Sequence, residues 1–241
     1  MPMKRLRARD VGLLVLLSAA AILCIRLGFW QLARLDQRLA RNQAIQGQLA
    51  RPRITFSTSE EDYQRVILEG TFLPEYEFLL QNRALDEQAG FHLVTPLQIS
   101  PDTVVLVDRG WIPYEEGSRF ELEAFRQEGT VRLQGILLPS QAEPNWKFLA
   151  DSIPDPDAPP LRSWRVMYIE GLQAQMPFSL HSQFALLTAI EPTTDPMPIP
   201  DFQIDLSNGP HLSYAIHWFS FAAISLIGGV IILRQSLLIR S

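Results

Sequence analysis

The sequence contains a single cysteine, Cys24. No disulfide can close within the chain, no zinc or Cys-based copper site can be assembled, and thiol–disulfide exchange is excluded as its chemistry. A Gly-rich phosphate loop, a His-Glu-x-x-His motif and a Gly-x-Ser-x-Gly elbow are all missing. Residues 34–210 hold 14 Lys and Arg against 25 Asp and Glu, a net charge of −11 with no basic stripe. That balance argues against nucleic acid as a partner and against this segment lying flat on an anionic leaflet. No internal repeat is visible. The acids that are present, such as Glu115-Glu116 and Glu121/Glu123, are scattered like solvated faces. No nucleophile stands beside a base, so an enzyme is not expected.

A further absence carries more information. From Leu212 to Leu233 there is no Asp, Glu, Lys or Arg. About 20 apolar residues rising ~1.5 Å each cross a ~30 Å hydrocarbon core, so the spacing predicts a membrane helix over residues 211–233. It carries two histidines in its first turns, His211 and His217. At ~100° per residue His211, Ala215, Trp218, Ala222 and Ser225 form one stripe, with Tyr214 beside it. The stripe suits either a partner helix or the edge of a flat apolar ligand.

The other end is also apolar. Residues 1–10 are basic, Val11–Ile25 is apolar, and Arg26 precedes Leu27-Gly28-Phe29-Trp30. The small residues Ser18–Ala21 lie inside the apolar run rather than after it, so an uncleaved anchor over 11–33 is expected rather than a signal peptide. Arg26 can snorkel and Trp30 suits the interfacial belt. The helix is expected to continue through Gln31–Ala50. Arg234 and Arg240 flank the second helix on one side, Asp201 and Asp205 on the other. Positive-inside bias then puts both termini (1–10 and 234–241) in the cytoplasm or its equivalent and residues 34–210 outside it, in the periplasm, on an extracytoplasmic face or in the intermembrane space, in a multi-pass membrane protein.

The middle segment reads as short strands: Val66–Leu68, Phe78–Leu80, Gly90–Leu97, Thr103–Val107, Val131–Leu137 and Phe184–Ile190. Turn signals between them predict a mainly antiparallel sheet, curled into a barrel, and an α+β class for the whole chain. Charged residues 117–128 suggest a short helix, as does Arg165–Ala174. Pro139–Pro160 and Glu191–Pro200 read as a loop and an extended connector.

Few residues are candidates for chemistry. His92 alternates within a strand as a half-buried or surface residue, and His181 sits in a loop. His211 and His217 are different, because neutral imidazole is a common axial ligand of haem iron and aromatic side chains wall such pockets. The alternative is an interfacial histidine bonded to lipid or to the middle domain. Arg83 and Arg109 each close a strand, and either could pair with haem propionates or with a nearby acid.

Several motifs, in order, carry a resemblance. They are Gly28-Phe-Trp30-Gln31-Leu-Ala-Arg34, Gly70-x-Phe72, Arg83, Gly90 with Thr95-Pro96, Val105-Leu-Val-Asp-Arg-Gly-Trp-Ile-Pro113, and His211-Leu-x-Tyr214-Ala-x-x-Trp218-Phe219. With both apolar ends, the chain resembles the surfeit locus protein 1 family of cytochrome c oxidase assembly factors, in its bacterial form, over nearly its whole length. The resemblance implies two membrane helices around an extracytoplasmic domain. It implies a chaperone-like role in respiratory complex IV, helping to deliver haem a to the catalytic subunit. The expected partners are cytochrome c oxidase subunit 1, the haem a synthesis machinery and membrane lipid. It points to His211 as the haem-contacting histidine, the expected ligand of haem iron. His217 is a departure from the family pattern. Tyr214 and Trp218 would wall the same side, Trp30 and Gln31 the opposite one, and Arg109 or Arg83 would meet the propionates. A membrane-tethered interaction module that docks on an oxidase subunit or other membrane partner, and binds no cofactor, is the alternative.

Overall fold

In a computed structural model, residues 7–57, 61–119, 122–141, 151, 159–191 and 198–238 are described. Most of the Pro139–Pro160 loop and of the Glu191–Pro200 connector lies outside those residues. The chain divides into two compact units, residues 1–45 with 205–241 and residues 46–204.

The first unit is a helix pair. Helix α1 runs unbroken over Ala8–Leu49. No proline interrupts it before Pro52, and at ~1.5 Å per residue it is about 63 Å long, twice a hydrocarbon core. The second helix, α4, spans His211–Leu238 and starts just after Gly209 and Pro210. Both are long and apolar enough to cross a membrane by length and composition.

The helices run antiparallel along a seam with a 3.5-residue period. Less exposed positions recur on α1 at 10, 14, 17, 21, 24, 28, 31, 35, 38, 42 and 45 and on α4 at 211, 215, 218, 222, 225, 229, 232 and 236, with neighbours such as 20, 27, 32 and 39 on α1 and 219 and 228 on α4 widening the stripe. That alternation of three and four is the heptad spacing that keeps one face of a helix on its neighbour. Ala215 and Ala222, 1% and 3% exposed, sit at its centre. The stripe read from the sequence thus faces α1. Gly28 makes room for a ring of the other helix: a Cβ there would stand 2.6 Å from the Phe219 ring. The Phe219 ring meets Phe29 edge-on at 5.4 Å. Ser236 donates to Asp10 at 3.0 Å at one end of the pair. Along α4, Ser220 and Ser225 bond the carbonyls of Ile216 and Phe221, which satisfies both hydroxyls without water.

The second unit is β-rich. Its strands are β1 (Ile54–Thr55), β2 (Arg65–Phe72), β3 (Phe78–Leu85), β4 (Gln88–Ser100), β5 (Thr103–Pro113), β6 (Thr130–Pro139), β7 (Ser163–Trp164) and β8 (Leu180–Glu191). The order β2-β6-β8-β5-β4 closes on itself where Thr71 and Phe72 pair with Gln98 and Leu97, giving a five-stranded barrel. All ring pairings are antiparallel except β5 with β8. Short parallel strands β1 and β7 edge β2 and β3.

Alternation fills the barrel. Val66, Leu68, Leu97, Val105, Val107, Val131, Leu133, Leu137, Ala185 and Leu187 point inward as one buried cluster. Leu106, on the other face of β5, joins Phe78, Leu80, Val94, Trp164 and Met167 in a second cluster outside the ring. With both faces covered, Val104–Val107 needs no polar alternation, which is why it reads as an uninterrupted apolar run.

Three expectations need correction. Strand β5 does not stop at Val107 but continues to Pro113. The charged stretch 117–128 is not one helix: α2 covers Tyr114–Arg119 and a 3₁₀ turn covers Glu123–Phe125. Burial of Leu122 and Phe125 beside Leu79, Leu93 and Ile112 fixes that turn, a tertiary contact overriding local charge pattern. The helix expected over Arg165–Ala174 is only Ile169–Gln173 (α3).

Candidate functional site

In the helix pair, His211 Nδ1 lies 2.9 Å from Gln31 Oε1. With the amide oxygen as acceptor, Nδ1 carries the proton and Nε2 keeps its lone pair. Gln31 is buried in the α1 seam, so its side chain is held where the ring needs it. The Nε2 edge of the ring faces Gly209. A Cβ there would make ordinary van der Waals contact with Cδ2 at 3.4 Å and Nε2 at 3.5 Å. Gly209 also has φ +66°, a left-handed conformation that favours glycine in the turn before α4.

The same end of the pair holds a depression of about 410 Å³ lined by Arg34, Gln37, Arg38, Arg41, Gly209 and His211. Arg34 donates to Gln37 at 3.0 Å, and Arg38 pairs with Asp205 at 2.6 Å and donates to the Ser207 carbonyl. Ser207, by its hydrogen bonds to the carboxylate, and then Arg38 hold Asp205 below the usual carboxylate range. Asn42 donates to the Leu206 carbonyl at 2.7 Å, pinning the chain that leads into α4.

The other expected site residues distribute unevenly. Tyr214 and His217 lie off the seam, Tyr214 50% exposed. Trp218 is on the seam and meets Phe221 edge-on. Of the two expected on α1, Gln31 reaches His211, while Trp30 is 54% exposed off the seam. Arg83 and Arg109 belong to the barrel unit. Arg83 donates to the Gln81 carbonyl, just after a break in β3 where Asn82 takes φ +57°. Arg109 is 2% exposed, donates to the Phe125 carbonyl at 2.6 Å and lies 4.8 Å over the Phe72 ring.

The motif around Arg109 has a structural logic. Leu93 pairs with Gly110 and Val94 with Asp108, so Arg109 is the extra residue of a bulge that turns it into the interior. Asp108 accepts the Gly110 N–H and lies 3.0 Å from His92 Nδ1, and Asp201 stands 3.6 Å from Nε2. His92, expected at the surface or half-buried, is buried between the two carboxylates. Trp111 exchanges both backbone hydrogen bonds with Ile199. Asp108, Gly110 and Trp111 therefore clamp the segment that leaves the barrel toward α4.

Glu77 is a second buried group that the sequence left unmarked. It is 7% exposed, one carboxylate oxygen has no partner, and burial pushes its pKa up to about 7 against the pull of Arg109. Arg109 in turn is lowered by burial to about 10 and stays charged at neutral pH. Because the acid binds its proton more tightly when folded, stability falls as pH rises from 4.5 to about 7. Glu77→Gln should remove that loss, raising stability above pH 7 by on the order of 2 kcal/mol and leaving it unchanged below pH ~4. Urea midpoints of both proteins across that range test it; parallel curves would show that Glu77 does not titrate there.

Comparison with known proteins supplies the family. The SURF1 family model matches residues 18–223. A SURF1-like protein of Monosiga brevicollis is 28% identical, covering 94% of this chain and 90% of its own length. One from Rickettsia felis is 26% identical over 93% and 97%. An uncharacterised SURF1-like protein of Mycobacterium tuberculosis is 25% identical over 92% and 83%. With a match spanning both apolar helices' inner turns and the whole barrel, the chain belongs to the SURF1 family.

Proposed function

We propose that this protein is a non-catalytic assembly factor for haem-copper cytochrome c oxidase that holds haem a during its delivery to subunit 1. The observation that carries the reading is His211, oriented through Nδ1 by a buried glutamine and lining a depression with three arginines. A glutamine orienting a histidine from behind is what an axial ligand requires. The residues fit the group: His211 would ligate the iron, and Arg34, Arg38 and Arg41 in the same depression carry charge complementary to propionates. Arg83 and Arg109, named for that role from the sequence, donate to backbone carbonyls within the barrel unit. Haem bound there would bring its iron and its porphyrin as cargo; the chain's part is to bind and orient it.

The protein purified from cells that make haem a should carry a Soret band, and the same protein from cells that do not make it should lack one. A colourless preparation from both hosts would reject haem holding and favour a tether that docks on the oxidase without a cofactor. The reading also implies a topology, with both helices spanning the cell membrane and both termini cytoplasmic, since Arg234 follows the apolar run of α4 and Asp201 and Asp205 precede its start. Reporters fused after Ser241 and within 142–150 should report opposite compartments. Matching signals would exclude this topology.

A further inference from the structure

A cavity of about 260 Å³ lies in the barrel unit, where the turn Pro74–Tyr76 meets β7 and the residues that follow α3. Its buried lining is Glu77, Phe78 and Trp164. Leu161 and Met176 wall it, and the exposed residues Arg126 and Pro160 form its rim. The walls are held in place without an occupant. The Leu79 N–H donates to the Arg162 carbonyl at 3.0 Å, Trp164 Nε1 to the Leu161 carbonyl at 3.0 Å, and the Leu161 N–H to Gln175 Oε1. A cavity already built loses little further freedom when it is filled.

One group in the lining is unsatisfied. Among the described residues no hydrogen bond reaches the Glu77 carboxyl group, and its Oε2 is buried. A buried acceptor without a donor is costly, so the donor is to be looked for in whatever fills the cavity. The charges nearby decide its kind. Arg109, then Arg126 and Arg162, already act on Glu77, so a cationic occupant would add another positive charge. An anionic one would face the carboxyl group. What fits is a neutral donor on an apolar body. Among side chains that describes Tyr and Trp, whose rings suit the aromatic walls Phe78 and Trp164. The volume falls below the ~300 Å³ at which pockets for cofactors and other free ligands begin, and suits a single side chain. Tyr and Trp are also the usual anchors of protein interfaces, seated in a desolvated pocket with a polar rim.

We propose that this cavity receives one Tyr or Trp side chain of a partner protein, whose O–H or N–H donates to the Glu77 carboxyl group. The inference does not rest on haem binding, since every residue in it belongs to the barrel unit.

The test uses the full chain in detergent micelles, from cells without haem a synthesis, with isotope-labelled methionine methyl groups read by NMR. The Met176 signal, assigned with Met176→Leu, reports on the cavity. N-acetyltyrosinamide and N-acetyltryptophanamide present the two side chains on a backbone, and N-acetylphenylalaninamide lacks the donor. At least one of the first two should shift the Met176 signal saturably, at a concentration about tenfold lower than N-acetylphenylalaninamide requires. Glu77→Leu should erase that difference. Its melting temperature guards against unfolding; should it fail to fold, Glu77→Met takes its place. The proposal is overturned by N-acetylphenylalaninamide binding as tightly as the other two, by an undiminished difference in the Glu77 variant, or by no saturable shift with any of them. Saturable binding of phenol with exclusion of N-acetyltyrosinamide would assign the cavity to a free small ligand and overturn the partner.

Discussion

His211→Ala is expected to lower haem per protein by about tenfold or more in material from haem-a-producing cells, because an axial nitrogen is lost outright. The substitution leaves the seam intact at Ala215 and Ala222, so the helix pair should survive it. Gln31→Leu supplies a second, independent reading. It removes the acceptor on Nδ1 without touching the ligand atom. Retention should fall severalfold, and the Soret band of what remains should shift, since the ring loses its fixed tautomer. His217→Ala should matter less, because His217 is exposed on a different face of α4. The measurement is the ratio of haem to protein in all four preparations. If the wild type carries haem and His211→Ala carries as much, the ligand role is gone. If Gln31→Leu behaves as wild type with an unshifted band, the positioning role is gone while ligation stands.

The second large effect lies in the barrel. Gly110 has φ +116°, where a side chain is strained, and its α-carbon faces the backbone of Ile199 and Pro200. A Cβ there would stand 2.7 Å from Pro200 Cα, and backbone cannot swing aside as a side-chain tip can. Gly110→Val adds a β-branched residue to both problems. The paired hydrogen bonds of Trp111 with Ile199, at 2.8 and 2.9 Å, would have to break. The expected cost is on the order of 4 kcal/mol, from strain, clash and two broken backbone hydrogen bonds. Gly129→Ala separates the terms. Gly129 also has positive φ, +80°, yet nothing lies within 4 Å of its would-be Cβ. It should cost only about 1 kcal/mol. Thermal unfolding of the full chain in detergent, followed by tryptophan fluorescence, reads both. Similar losses in the two variants would mean that conformation alone, and not the clamp on Ile199, sets the role of Gly110.

Asp201, held beside His92, is four residues from Asp205 and ten from His211. The motif Asp108–Trp111 thus acts on the segment that leads covalently into α4. The sequence alone left Arg109 open between a ligand's propionates and a nearby acid; the bulge turns it inward, where Phe72 and the Phe125 carbonyl receive it.

The amino-acid sequence by itself determined the two apolar helices, because a charge-free run of some 20 residues has few alternatives. It determined the continuation of α1 beyond the apolar run, where no proline or turn signal intervenes, and the stripe of α4 that meets a partner. Strand positions were legible from β-branched runs and turn residues, and the motifs at both helices and in β5 were enough to point to the family. Only the tertiary structure decided which helix the stripe meets, that β2 and β4 close the ring, and that β5 runs parallel to β8. Those are long-range pairings, and no local periodicity encodes which strand lies beside which. It alone set the partners of polar side chains: Gln31 behind His211, three arginines around one depression, His92 between Asp108 and Asp201, and Glu77 without a partner for one oxygen. A histidine or glutamate looks the same in a strand pattern whether it meets water or another side chain. Its burial and its proton are properties of what the fold brings against it.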